Sequence, residues 1–386
     1  MDILIVTSMG WGRNAGGPQV NYMIARELRR MGNTVDKYDI EDAFPDKNKL
    51  VQYFGTAFFR WKALRYVRRF GHKYDVIQAT HGILPFSKRI LNFDGILVSM
   101  SHGLPHFYRQ YNEKYSRKIR ARNPRSFLGR AAESIASQVN NPVWAVERSY
   151  DAADIISLCS ESEYEYVAES LGYQSKAFLR LNGLSEDRIK RLGEAASSPS
   201  SRLSNRKVAF IGHWNHRKGA SDWSTIIDEV RSENPEVQFM LLGTGKSKKS
   251  VLSDISERHH PKVKVVPSYQ YEDLPQLLSE ATVGVLPSYV EGMPISVLEM
   301  LAARLPVVGY DVPGVRDLLC QAQQSLLASV GCEKEIATKV SDLFQLRSSD
   351  YEKVSENCEK IVKNYRWKDI AKRYINEIKI KDRKGR

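Results

Sequence analysis

The sequence predicts an α/β protein built from two doubly wound parallel-sheet domains. Three observations predict it. Short apolar runs of strand length recur along the chain, each ending in a glycine or polar turn, with helically spaced segments between them. A polar, serine-rich stretch near the middle interrupts this alternation, which then starts again. The length of 386 residues suits two domains better than one.

The elements follow in order. "DILIVTS" is a short apolar strand, and "GPQVNYMIARELRRMG" after it has helical spacing, with Ile24, Leu28 and Met31 on one face and Gly32 as its stop. "TVDKYDI", "YDVIQATHG", "GILVSMSHG", "ADIISLCS" and "SKAFLRLNG" read as the remaining strands of the first sheet. The first domain is thus expected over residues 1–187 and a linker over 188–206. The pattern restarts with the strand "KVAFIGHW" and the helix "ASDWSTIIDEVRSE". The strands "VQFMLLGTG", "VKVVPS", "VGVLPS" and "PVVGYD" follow, with the helices "YEDLPQLLSEA" and "PISVLEMLAAR" among them. This second domain is expected over 207–364, and residues 365–386 read as an amphipathic helix with a basic end. Sheets of this kind bind ligands beyond the carboxyl ends of their strands. The expected site is therefore the cleft where the two domains face each other.

Composition narrows the class. Hydrophobic residues make up 42% of the chain, enough for sizeable cores and too many for a disordered protein. No apolar run reaches the roughly 18 to 20 residues of a membrane-spanning helix. The opening "MDILIVTSMGWG" lacks the basic start of a signal peptide. The cysteines Cys159, Cys320, Cys332 and Cys358 have no paired spacing, which argues against a disulfide framework or a thiolate zinc site and fits a reducing, cytoplasmic setting. The net charge is +13, and residues 51–150 carry 17 Lys and Arg against 5 Asp and Glu. That asymmetry implies an anionic partner for this region.

Four motifs carry candidate chemistry. In "GWGRNAGGPQ", Gly16 and Gly17 lie between a strand and a helix, where backbone can approach an anion; an ordinary βα turn would read the same. The spacing is not G-x-G-x-x-G, so the dinucleotide fingerprint fails. In "IGHWNHRKGA", Arg217 and Lys218 precede Gly219 and a helix, a placement suited to a diphosphate and also to a solvated basic loop. In "EGMPISVLEM", Pro294 marks a first helical turn, so Glu291 and Gly292 stand at the helix start, while Glu299 falls among Val297, Leu298, Met300 and Leu301. A carboxylate buried there needs donors. A sugar diol would supply two hydroxyls, and a buried salt bridge would serve equally. His81 and His102 each end an apolar strand just before a glycine.

Taken together, these segments resemble glycosyltransferase family 4, the retaining, glycogen-synthase-like enzymes of GT-B fold. Glu291-Gly-Met-Pro…Glu299, followed by "LPVVGYDVPGVRDLL", looks like the family's E-x7-E signature. "IGHWNHRKG" resembles its G-R-L-x-x-x-K-G loop, Gly16-Gly17 its N-terminal glycine loop, and "YRWKDIAKRY" its C-terminal helix that crosses back onto the first domain. The resemblance implies that Glu299 accepts hydrogen bonds from a ribose diol. It sets Glu291 near the transferred sugar, with the Gly292 and Met293 amides close to sugar hydroxyls or phosphate. Lys218 holds the diphosphate, backbone around Ser268 and Tyr269 meets the base, and His102 bonds the donor sugar at the reacting centre. Two positions depart from the family pattern. His213 stands where an arginine is usual, leaving Arg217 as a substitute in the phosphate clamp, and Arg304 stands where glycine is common. If that second site is left-handed, arginine costs about 1 kcal/mol there.

The implied activity is retaining transfer of a hexosyl group from a UDP- or GDP-sugar to an acceptor hydroxyl on a glycan or lipid-linked acceptor, without a cofactor. The chain has no Asp-x-Asp, so no metal-chelating donor site is expected. A nucleotide-sugar epimerase of the same architecture and a non-catalytic carbohydrate- or membrane-binding GT-B protein are the alternatives. Nucleic acid is not an expected partner, because the basic run fits no recognised module. In "YFGTAFFRWKALRYVRRFGHKYD", Phe54, Phe58, Phe59, Trp61, Leu64 and Val67 alternate with Arg60, Lys62, Arg65, Arg68 and Arg69. "KYSRKIRARNPRSFLGR" adds Lys114, Arg117, Lys118, Arg120, Arg122, Arg125 and Arg130. Such a face suits peripheral docking on an anionic inner membrane leaflet, although aromatics packed on the sheet with solvated cations would give the same sequence.

Overall fold

The computed structural model describes residues 1–14, 16–46, 49–122, 143–322 and 326–385. It divides into two units, Met1–Leu181 together with Trp367–Arg386, and Asn182–Arg366.

The first unit is a six-stranded sheet in the order β2-β1-β3-β4-β5-β6. Its strands are β1 (Asp2–Thr7), β2 (Thr34–Asp39), β3 (Val76–Thr80), β4 (Ile96–Met100), β5 (Ile155–Leu158) and β6 (Ala177–Leu179), and all neighbours run parallel. The apolar runs of β1, β3, β4 and β5 become strands buried on both faces, as the interior of a parallel sheet requires, while the edge strands β2 and β6 are only partly buried. The order reverses between β1 and β3, so the turn after β1 opens at a topological switch point. Helix Trp367–Gly385 completes this unit: Trp367, Ile370, Ala371, Tyr374 and Ile378 are buried, and the Tyr374 hydroxyl donates to Gln78 Oε1 at 2.6 Å.

The second unit repeats the design in the order β12-β11-β10-β7-β8-β9. Its strands are β7 (Lys207–Ile211), β8 (Gln238–Leu242), β9 (Val263–Val266), β10 (Val283–Leu286), β11 (Val307–Tyr310) and β12 (Leu327–Ala328). The switch point falls between β7 and β10. Beneath the turn after β7, Phe210, Trp214, Trp223 and Phe239 pack edge to face, with Phe210 and Trp223 centroids 5.5 Å apart. Such pairs add about 0.5–1.5 kcal/mol each beyond their buried area.

The expectation of a linker over 188–206 needs correction. These residues form most of two helices, Glu186–Glu194 and Pro199–Asn205, and belong to the second unit. Ser185 and Ser198 are their N-caps, each accepting a backbone N–H three residues on. Serine and aspartate mark helix starts as readily as loops, and here the capping role wins.

Helix Lys49–Phe70 resolves the mixed aromatic and basic segment into two faces. Phe59, Ala63, Leu64 and Val67 pack with Leu4, Val6 and Ile77 in the core. Arg60 is also buried and donates through Nε to Gly82 O at 2.7 Å. Those residues are therefore not part of any outer face. Phe58 and Trp61 do face outward, 45% and 63% exposed. The side chains of Phe54, Arg117, Lys118, Arg120 and Arg122, and all of Arg125 and Arg130, lie outside the described residues.

Candidate active site

In the second unit, the turns after β7, β10 and β11 nest at backbone contact. Gly219 has φ +76°, and a Cβ there would lie 2.1 Å from Pro287 O. Gly314, also at φ +76°, would put a Cβ 1.8 Å from Gly292 O. Only glycine fits either place. Asn215 caps the short turn His216–Lys218 through a 3.1 Å bond from Lys218 N–H to Asn215 Oδ1. Asp222, fully buried, ties the three turns together: Oδ2 accepts the Tyr289 hydroxyl at 2.6 Å and the Tyr310 hydroxyl at 2.8 Å. Tyr289 N–H in turn donates to Arg217 O at 2.8 Å. Burial, then the Asp222 charge, push the Tyr310 hydroxyl well above the ordinary phenol range, so it stays a donor.

This frame holds Glu291 against two cations. Glu291 is 6% exposed. Lys218 Nζ stands 2.6 Å from its Oε1, and Arg217 Nη1 stands 3.3 Å from Oε2 while donating to Val290 O. The lysine contact is a charge contact whose angle leaves Oε1 without an aligned hydrogen-bond donor. Burial alone would raise the Glu291 carboxyl, but Lys218 and Arg217 outweigh it and hold the group below the usual range. Burial in turn lowers Lys218, more than Glu291 raises it. Two cations thus face one carboxylate at the switch point. Beside it, the amides of Glu291, Gly292 and Met293 make no hydrogen bond among the described residues. They precede helix Ile295–Ala302, whose N-terminus favours an anion.

Glu299 lies in that helix and is 6% exposed. Its Oε1 accepts from Arg188 Nε at 3.1 Å and Nη2 at 2.7 Å. The salt-bridge reading of this buried carboxylate is thus realised in part. Oε2 has no hydrogen-bond partner among the described residues. Burial raises the Glu299 carboxyl more than Arg188 lowers it. The Arg188 guanidinium lies 3.8 Å from the Tyr271 ring centroid, within cation–π range, and donates to Tyr271 O. Tyr269, whose hydroxyl is raised by burial and then by Glu299, packs over Gly243. A flat aromatic and cationic surface therefore adjoins the free edge of a buried carboxylate.

Lys218, Arg217, Glu291, Gly292 and Met293 thus come together, and Glu299 and Tyr269 form an adjoining group. Ser268 is exposed, and His213 is exposed with its ring against Gly245, where a Cβ would lie 2.6 Å from Nδ1. Arg304 has φ +58°, so its site is left-handed and the conditional cost applies, and its Nη2 pairs with Glu359 at 2.6 Å. Arg188, Asp222, Tyr289 and Tyr310 were not foreseen. The N-cap Ser185 just before Arg188 was the one available signal.

In the first unit, Gly16 and Gly17 open helix Gly16–Arg30 at the end of β1. A Cβ at Gly17 would strike Met9 Sδ at 2.4 Å, so Gly17 makes room for packing, while Gly16 faces open space. His81 is structural: it is buried, its Nδ1 lies 3.2 Å from the Tyr150 hydroxyl, and its N–H donates to Met100 O at 2.9 Å. His102, after β4, differs, because its buried Nε2 has no hydrogen-bond partner among the described residues. Burial first, then Arg180 and His81, lower its pKa to about 3, so the imidazole is neutral at neutral pH.

Solved structures align with the whole chain. Sucrose-phosphate synthase from Thermosynechococcus elongatus superposes with a TM-score of 0.71 over 98% of both chains at 16% identity. HepE of Anabaena, solved in complex with UDP, superposes with a TM-score of 0.69 over 98% of this chain and 100% of its own, also at 16% identity. The fold is that of the GT-B glycosyltransferases. Residues 195–365 match the family model Glycosyl transferases group 1, and this part of the chain is a domain of that family. TuaC of Bacillus subtilis, assigned provisionally as a teichuronic acid biosynthesis glycosyltransferase, is 32% identical over 157 residues, 41% of this chain and 36% of its own length. The chain thus spans about a third of that relative's length.

Proposed function

We propose that this protein is a retaining glycosyltransferase that moves a hexosyl group from a nucleoside diphosphate sugar to an acceptor hydroxyl. The carrying observation is the Glu291 carboxylate held between Lys218 and Arg217 beside the amides of Gly292 and Met293, which make no hydrogen bond among the described residues. A diphosphate brings negative charge to the two cations and acceptors to the amides. Lys218 and Arg217 then stabilise the charge that develops on the leaving diphosphate. Glu291 accepts a hydroxyl of the transferred sugar, and Glu299 Oε2 accepts from the ribose diol while Arg188 holds Oε1 and opposes the effect of burial. The base lies near Ser268 and Tyr269. His102, neutral, contributes Nε2 to the donor sugar. The leaving phosphate takes the acceptor proton as the new bond forms on the same face. Because protein cations meet the diphosphate, the reaction is proposed to need no metal and no further cofactor.

The acceptor, a glycan or lipid-linked molecule, is assigned to the first unit. We further propose a cytoplasmic protein docked peripherally on an anionic leaflet. No helix among the described residues is long and apolar enough to cross a membrane. Support comes from the outward Phe58 and Trp61 and from a recess of about 910 Å³ lined by Trp61, Phe86, Ile90 and Trp144. Lys62, Arg65, Arg68 and Arg69 share the same helix. The test is release of nucleoside diphosphate from a panel of nucleotide sugars, with and without cell lipid extract. Release that needs an acceptor supports transfer, whereas conversion of the donor alone would point to an epimerase.

A further inference from the structure

Arg180 follows β6 and is 1% exposed. Its Nε donates to Ser157 Oγ at 2.9 Å. Nη1 and Nη2 are buried as well, and neither has a hydrogen-bond partner among the described residues. Among the described residues no carboxylate forms an ion pair with it. Glu163, whose charge it senses, is already engaged: Oε1 accepts the Leu104 amide at 3.0 Å, and Oε2 accepts the Cys159 N–H and S–H, both at 3.3 Å. The Tyr374 hydroxyl donates instead to Gln78. A guanidinium buried without a counterion costs several kcal/mol, far more than one hydrogen bond to a serine returns. Arginine remains protonated even so.

A second side chain in the same neighbourhood is equally unmatched. The His102 Nε2 is buried and has no partner among the described residues, and Arg180 is close enough for its charge to help lower the histidine. β4, β5 and β6 are adjacent in the sheet. His102 and Arg180 follow the first and last of these, at the carboxyl ends where open α/β sheets bind ligands.

We propose that Arg180 and His102 form an oxyanion site in the first unit, which takes the carboxylate or phosphate of a substrate. The two free Nη groups present side-by-side N–H donors that match two oxygens of such a group. His102 Nε2 supplies a further contact. The oxyanion site stands on the geometry of this unit. Its assignment to a transfer substrate rests on the transferase reading, and the anion belongs either to the donor sugar, as in a uronic acid, or to the acceptor.

The experiment uses the full chain and inorganic phosphate as probe. The His102 imidazole resonance, assigned by its absence in His102→Gln, is followed by nitrogen NMR as phosphate is added. It is expected to shift in the native protein, and in Arg180→Met to need at least about tenfold more phosphate. Arg180→Met is also expected to keep or raise the Tm, since an unpaired buried charge gives way to an apolar side chain. An equal phosphate response in both proteins, or a lower Tm of ligand-free Arg180→Met, overturns the site. Turnover then locates the source. KM is expected to rise at least about tenfold for whichever substrate carries the anion, donor or acceptor, and to hold for its neutral counterpart. Equal losses on anionic and neutral substrates overturn the assignment to a substrate. Absence of any turnover, with the phosphate response intact, would sink the transferase reading and leave the oxyanion site standing.

Discussion

Lys218 Nζ and Glu291 Oε1 stand 2.6 Å apart on turns that follow β7 and β10, the two strands flanking the switch point of the second sheet. Nearly a fifth of the chain separates them in sequence. The pair therefore exists only because the crossover brings the two strands side by side and Gly219 lets the turns touch. Each partner opposes the effect of burial on the other, and Arg217 stands beside the pair.

Replacing Lys218 with Met removes the larger of the two charges acting on Glu291. In the native protein the folded carboxyl lies below its unfolded value of 4.5. Its contribution to stability is thus complete above about pH 4.5 and is lost as pH falls through the folded value. In Lys218→Met, burial is expected to dominate and raise the carboxyl, so the contribution changes sign and stability falls as pH rises through the new value. Denaturant unfolding between pH 3 and 7 (roughly the span that brackets both cases) reads the difference. Superimposable pH profiles would show that Lys218 does not govern Glu291. Turnover is expected to drop by about 2–4 kcal/mol in transition-state stabilisation.

The Arg188–Glu299 pair gives a two-step test. Glu299→Gln should destabilise the second unit by about 3–5 kcal/mol, because Arg188 is left charged and buried. Adding Arg188→Met should restore most of that stability. Nucleotide affinity, measured calorimetrically, should stay low in both variants. Recovery of affinity along with stability would mean that Glu299 acts only through folding.

Tyr289 and Tyr310 donate to the same Asp222 oxygen, yet only Tyr289 lies on the turn that carries Glu291. Either tyrosine changed to Phe should cost about 1–3 kcal/mol, the worth of a bond to a buried carboxylate. Only Tyr289→Phe is expected to lower kcat several-fold beyond that effect. Equal kcat values for the two variants would remove the turn from the catalytic frame.

Membrane docking can be assigned to particular side chains. Phe58→Ser with Trp61→Ser should abolish sedimentation with anionic liposomes while leaving Tm nearly unchanged, since both residues are exposed. Binding should also fall with salt and with Arg65, Arg68 and Arg69 changed to Ser. Undiminished binding in the Phe58/Trp61 double variant would place the docking face elsewhere.

How much of this was legible beforehand follows from sequence separation. Strands read well because burial on both faces leaves an unbroken apolar run, as in Ile3–Val6 and Val283–Leu286. Arg304 adopts the left-handed backbone that the sequence left conditional. Polar segments read poorly, because Ser185 and Ser198 look alike in a cap and in a loop. The partner of Glu299 was hidden for a further reason: Arg188 lies 111 residues away, inside a segment taken for a linker. No local pattern reveals such a contact. Likewise, nothing in "FLRLNG" marks Arg180 as buried until β6 is set at the sheet edge.

The central claim is that Glu291, with Lys218 and Arg217, holds a nucleotide sugar for transfer. Nucleoside diphosphate release from a donor panel, in the presence of lipid extract, tests it most directly when native protein is run beside Glu291→Gln. The account predicts release from at least one donor, dependent on the extract, and a fall of about a hundredfold or more in the variant. Full release by Glu291→Gln, or none from any UDP- or GDP-sugar by the native protein, would contradict it.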